Sequence, residues 1–225
     1  MLNLLPKDHL IAEVSVWSAD LLNLQSDLAR IAPYADVLHI DVADGRFTPG
    51  FLFFPDLVAR IVEQASCPVH VHLMCMPDIV VDQAHQFLET GADLITVHAE
   101  AGDAGLKAVD EIRAAGRAAG VALTLEQPLA RVQPFLDQVA MVTLMGTRIG
   151  IKGAGLDPTA CDRITTMRKM VPGGVLVAAD GGIRENTVPQ LRAAGADTVV
   201  LGSLAFGAPD LAARFDWLRG LGCGV

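Results

Sequence analysis

Apolar residues along the chain gather into eight short runs: "LIAEVSV", "DVLHIDV", "PVHVHLM", "DLITVHA", "GVALTLE", "VAMVTLM", "GVLVAAD" and "DTVVLGS". Each is short and rich in Val, Ile and Leu, the pattern of a strand buried on both faces. Helical spacing fills the intervals, as in "DAGLKAVDEIRAAGRAAG" and "NTVPQLRAAGA". In "ETGADLITV" and "AAGADTVVL", Gly91 and Gly195 fall where helices end, so they are expected as C-terminal caps. Strands alternating with helices predict a parallel sheet covered by helices. Eight regular units predict closure into a (β/α)8 barrel, with an open doubly wound sheet as the alternative. No Pro- or Gly-rich linker interrupts the pattern, so residues 1–225 are expected to form one domain.

The informative positions are those where the apolar pattern breaks. In "LHIDVADGRF", His39 and Asp41 interrupt an apolar run two residues apart and so share one strand face. His70 and His72 do the same in the third run, and Asp180 ends the seventh. Taken singly, a strand histidine is more often a hydrogen-bonded core residue, and Asp before Gly-Gly more often forms a turn. Taken together, these groups end three strands of a barrel whose C-terminal rim carries the chemistry. His39, Asp41, His72 and Asp180 could hold one divalent metal such as Zn, Fe, Mn or Co. His72 is preferred over His70 because it stands nearer the strand's end. After the seventh and eighth strands, "DGGI" and "LGSLAF" put Gly181, Gly182, Gly202 and Ser203 where backbone N–H groups can approach a phosphate.

Composition narrows the function. Of 225 residues, 52% are hydrophobic and 19% charged, enough for a full core. The net charge is −9 with no basic stripe, which disfavours nucleic acid. No apolar run approaches the roughly 20 residues of a membrane span, and the start lacks the features of a signal peptide, so a cytoplasmic location is expected. Cys67, Cys75, Cys161 and Cys223 show no CxxC pairing and read as buried free thiols.

These residues resemble the ribulose-phosphate 3-epimerase family. "SVWSADL" is similar to its Ser-x-x-Ser-Ala-Asp segment, and "HIDVADGRFTP" to its His-x-Asp-x-x-Asp-Gly-x-Phe-x-Pro motif. "VHLM", "GADLITVHAE", "ADGGI" and "AGADTVVLGSLAF" follow in the family's order. The resemblance implies a (β/α)8 barrel of the ribulose-phosphate-binding type that holds one divalent metal and inverts C3 of a ketose phosphate. It implies metal ligands His39, Asp41, His72 and Asp180, with Asp41 and Asp180 also the acid/base pair. It implies that Ser15 holds substrate, that Met74 and Met145 line the pocket, and that Gly182, Gly202 and Ser203 bind phosphate. A homo-oligomer is expected.

Departures from the family pattern fall elsewhere. Where the family carries Met-Thr-Val-x-Pro-Gly-Phe-Gly-Gly-Gln, this chain has "LMGTRIGIKGAGLDP". Met145 is retained and Gly150 and Gly153 match, but the Pro, Phe and Gln are absent. Arg148 and Lys152 are candidates for a phosphate clamp of different geometry, or for a solvated loop. Glu126 replaces an Asn-Pro segment, and Ala43 a pocket Met. His98, at the end of the fourth strand, is a further candidate for substrate contact or for support. Asp44 is expected in the loop that follows the second strand, as a turn former. The default substrate is D-ribulose 5-phosphate; another four- to six-carbon ketose phosphate, such as allulose 6-phosphate or a tetrulose phosphate, is the alternative. A related lyase or decarboxylase is disfavoured because no Asp-x-Lys-x-x-Asp pattern occurs. A non-catalytic sugar-phosphate-binding protein would not need two flanking carboxylates.

Overall fold

A computed structural model describes residues 5, 6 and 8–222; Cys223 lies outside them. Eight parallel strands form the barrel: β1 (Ile11–Ser15), β2 (Val37–Asp44), β4 (Val69–Met74), β5 (Leu94–His98), β6 (Ala118–Leu123), β7 (Met141–Met145), β8 (Leu176–Asp180) and β9 (Thr198–Leu201). A two-residue strand, β3 (Phe51–Leu52), folds back antiparallel onto Ala43 and Asp44. Closure is direct: β1 pairs with β9 on one side and with β2 on the other, Ser15 opposite His39. The closed barrel, and not the open sheet, is therefore the architecture.

Strand periodicity sorts the side chains. Val14, Leu38, Ile40, Val71, Leu73, Val97, Val121, Leu144 and Val177 point outward into one continuous core beneath the helices. α2 (Pro55–Gln64) contributes Val58 and Ile61 to it, and α3 (Val80–Glu89) contributes Val80, Ala84 and Phe87 at helical spacing. α4 (Gly102–Ala114) adds Ala108, Val109 and Ile112. Inside the barrel, Ile11, Val37, Leu94, Met141 and Ala178 close the lower end with apolar side chains. The polar residues stand above this plug.

Asp36, Asp93 and Asp197 recur at the strand bottoms. Each accepts an N–H from the first or second residue of a neighbouring strand, Ala12, Val69 and Val177, at 2.8–2.9 Å. Gly91 and Gly195 follow helices at φ +86° and +107°, as their capping role requires.

Two expectations need correction. The helix expected over "DAGLKAVDEIRAAGRAAG" stops at Ala114, and its last three residues already belong to β6. Ala118 pairs with Leu94, so barrel pairing overrides the helix preference of alanine. After β6 the expected α-helix is replaced by a 3-10 helix, Leu129–Phe135, with Pro134 inside it. Proline lacks the N–H of an α-helical ladder.

Candidate active site at the barrel mouth

Three strands deliver the central groups. β2 brings His39 and Asp41 upward, β4 brings His72 beside Asp41, and β8 ends on Asp180. One nitrogen or oxygen from each of the four lies within 4.8 Å of all the others. His39 Nε2 stands 3.4 Å from Asp41 Oδ1 and 3.8 Å from Asp180 Oδ2. His72 Nδ1 stands 3.6 Å from each of the same two oxygens. Both nitrogens are buried and lack a hydrogen-bond partner. Buried polar atoms are almost always paired, so two orphans aimed at one point between two carboxylates mark a place for a ligand. Two imidazole nitrogens and two carboxylate oxygens form a donor set suited to Zn, Fe, Mn or Co. The residues present therefore fit a divalent ion.

Electrostatics follow from the geometry. Burial opposes the charge on Asp41, yet the imidazoles of His39 and His72 hold its carboxyl well below the usual range. Burial likewise opposes charge on His39, but Asp41, Glu13 and Asp180 raise it well above an ordinary histidine. His72 is raised by Asp180 and Asp41, again against burial. His70 and His98 are both pushed down by burial.

The remaining candidates divide by depth. Ser15, Met74, Met145, Gly153, Gly181, Gly182, Gly202 and Ser203 line the cleft above the four central residues. The Ser15 hydroxyl donates to Asp41 Oδ2 at 2.6 Å, so it orders the acid as well as facing the cleft. His98 is fully buried beneath the mouth, its Nε2 2.8 Å from His72 Nε2. His70 lies a layer below, against Glu13 and Thr96, which leaves His72 as the histidine of this strand that reaches the cluster.

The loop after β7 spans the cleft. Lys152 donates to the Trp17 carbonyl at 2.8 Å and lies over the Trp17 ring, while Gly150 backs onto Thr48. Arg148 is 79% exposed and stands 3.9 Å from Glu126. Asp44 is the last residue of β2, not a member of the following loop, and it accepts from the N–H groups of Arg46, Phe47 and Met76. Arg46 turns outward to pair with Asp78.

Glu13 was not anticipated from the sequence. It is a fully buried acid on β1 whose Oε2 receives His39 Nδ1 at 2.9 Å and His70 Nδ1 at 2.7 Å. The available signal was the rule that exposed His39 and Asp41: Glu13 and Ser15 break an apolar strand two residues apart.

The model of the ribulose-phosphate 3 epimerase family matches residues 11–206. The chain is 34% identical over 209 residues to a ribulose-phosphate 3-epimerase of Mycobacterium leprae, covering 91% of this chain and 92% of that one. It is 31% identical over 219 residues to that of Escherichia coli, covering 95% and 96%. Among solved structures, 3-hexulose-6-phosphate synthase from Salmonella typhimurium superposes with a TM-score of 0.72 at 21% identity, covering 94% of this chain and 98% of that one. Orotidine 5'-phosphate decarboxylase from Pyrococcus horikoshii gives 0.68 at 15%, covering 94% and 98%. Those structural likenesses establish the barrel alone. The family match and the two sequence relatives place this chain in the ribulose-phosphate 3-epimerase family.

Proposed function

We propose that the protein is a divalent-metal-dependent 3-epimerase of a ketose phosphate, with D-ribulose 5-phosphate and D-xylulose 5-phosphate as the default pair. The observation that carries the reading is the pair Asp41 and Asp180, brought from β2 and β8 onto the same two unpartnered imidazole nitrogens. Inversion at a carbon beside a carbonyl needs one group to take the proton and another to return one to the opposite face. Two carboxylates arriving from separate strands supply both. Asp41 turns Oδ1 toward the imidazoles and Oδ2 toward Ser15, so one oxygen can be held while the other moves a proton.

His39, Asp41, His72 and Asp180 would hold the ion. Bound there, a divalent ion acts as a Lewis acid on the substrate's oxygens and eases loss of the C3 proton. Met74 and Met145 line the cleft and would present apolar, polarizable walls to the substrate. Gly182, Gly202 and Ser203, with Gly153 and Gly181, offer backbone and hydroxyl donors for the phosphate.

A second sugar is favoured by one feature: the cleft is lined by Ile149, Ile151 and Lys152 from the atypical loop. This supports epimerisation of another four- to six-carbon ketose phosphate by the same residues. Proton NMR in deuterated water, across a panel of such phosphates and with metal content measured in parallel, tests both. The reading expects deuterium at C3 of one epimer pair and one divalent ion per chain. It expects Asp180→Asn to lower turnover by about 10²–10⁴-fold or more in a folded protein. No exchange with any member of the panel, or full exchange by Asp180→Asn, would refute it.

A further inference from the structure

Each metal-facing imidazole is held from behind, and the two are held at opposite nitrogens. His39 turns Nε2 to the cluster and Nδ1 to Glu13. His72 turns Nδ1 to the cluster and Nε2 to His98. Behind His98, its Nδ1 faces Glu100 Oε2 at 3.4 Å, and neither atom has a hydrogen-bond partner. The other oxygen of Glu100 accepts from the Thr124 N–H and hydroxyl, at 3.0 and 2.6 Å. Glu13 is anchored in the same way, with Oε1 receiving the Thr198 hydroxyl at 3.0 Å. Both tethers thus end on buried or half-buried carboxylates, Glu13 fixed from β9 and Glu100 from the residue that follows β6.

Donor and acceptor counting assigns His39, and the carboxylate facing His98 assigns His72. A carboxylate only accepts, so His39 must carry its proton on Nδ1 to meet Glu13, which frees the Nε2 lone pair. Two imidazole nitrogens at hydrogen-bond distance need one donor and one acceptor. The Glu100 carboxylate, 3.4 Å away and facing Nδ1, favours the His98 proton on that nitrogen by charge, which leaves His98 Nε2 as the acceptor. His72 must then donate from Nε2, and its Nδ1 lone pair is free toward the cluster.

We propose that Glu13, and the pair His98 and Glu100, are positioning residues that fix the tautomers of His39 and His72 and so set the metal affinity of the site. This rests on the reading of the four-residue cluster as a metal site. It assigns His98 a role behind a ligand, not at the substrate. The hydrogen bond behind an imidazole fixes its orientation and raises its basicity, and losing it costs metal affinity about 10–100-fold.

The test uses zinc as the probe. Long-range proton–nitrogen NMR of histidine-labelled, zinc-loaded protein should show His39 protonated at Nδ1, His72 at Nε2 and His98 at Nδ1. Chelator competition should show Glu13→Gln and Glu100→Gln weakened for zinc by about 10–100-fold. Glu100 lies near the surface, with its side chain 12% exposed, so its variant carries the test if Glu13→Gln fails to fold. His98→Gln, whose amide can both accept and donate, should lie closer to wild type than His98→Leu. Any other tautomer at His39 or His72, or unchanged zinc affinity in Glu100→Gln, would overturn the proposal. If wild type binds no zinc, the metal reading and this proposal fall together. If the tautomers and affinities hold but no sugar is epimerised, only the functional reading falls.

Discussion

Gly182→Ala is the sharpest test of the phosphate end of the site. Gly182 has φ +71°, a left-handed conformation that costs an L-residue roughly 1–2 kcal/mol. A Cβ there would lie 2.6 Å from Leu156 Cα and 2.7 Å from Leu156 N. Ordinary carbon contacts begin near 3.5 Å, so the loops after β7 and β8 must part by roughly 0.9 Å. Leu156 Cα and N are backbone atoms and cannot rotate away. Strain and displacement together are expected to destabilise by about 2–3 kcal/mol, or about 4–12 °C in melting temperature for a chain of this size. A misplacement near 1 Å in a positioning loop costs up to about 10²-fold in kcat/KM. Because Gly182 is assigned to phosphate and not to proton transfer, most of that loss should appear in KM. Thermal melts and steady-state kinetics with the epimerised sugar phosphate check both numbers. Gly155→Ala is the control, since nothing lies within 4 Å of its added Cβ and its φ is ordinary. Wild-type KM and melting temperature in Gly182→Ala would refute the assignment of this turn.

Two further expectations follow from charge. His39 and His72 are both raised above the ordinary histidine value, so on the proposed reading a metal ion would compete with protons at both. Apparent metal affinity should therefore rise with pH through and above the ordinary histidine range; chelator competition at several pH values checks this, and affinity that falls with rising pH would refute it. Burial pushes the Cys75 thiol up to about 12 and the Cys67 thiol up to about 11. At pH 8 the Cys75 thiolate is then only about one part in 10⁴, so alkylation followed by peptide mapping should find Cys75 labelled far more slowly than Cys161; rapid labelling of Cys75 would refute it.

Much of the fold and the centre of the cluster could be read from the sequence because both rest on strand periodicity. Apolar side chains of β2, β4 and β8 alternate with His39, Asp41, His72 and Asp180, and the barrel brings such strand ends to one rim. The same rule touched Glu13, but a lone acid in "IAEVS" does not disclose partners 26 and 57 residues away. His98 was legible as an inward residue, whereas its bond to His72 depends on the distance between two rings. The thiols were legible only in part: Cys75 is buried, while Cys67 and Cys161 are half-exposed. Helix ends next to alanine-rich strands were misread because alanine favours the helix locally, and only the pairing of Leu94 with Ala118 decides otherwise.

The division between legible and illegible residues is also a division of chemical labour. Ser15, His39, Asp41, His72, His98 and Asp180 all sit on barrel strands that pair with a neighbouring strand on each side. The ladder that makes their positions predictable also holds them to the small tolerances that proton transfer needs. Arg148, Ile149, Ile151 and Lys152 sit on a loop seated by the Lys152 contacts with the Trp17 carbonyl and ring, the exposed Arg148–Glu126 pair and the contact of Gly150 with Thr48. Such a loop can change sequence without disturbing the barrel, because few buried groups depend on it. The sugar it admits can therefore vary while the reaction at C3 stays the same. On this view, substitutions along residues 148–153 should alter KM and the preference among ketose phosphates, and those at the strand residues should alter turnover or metal affinity. The strand and loop residues meet only across the cleft, so effects at the two should be close to additive in free energy.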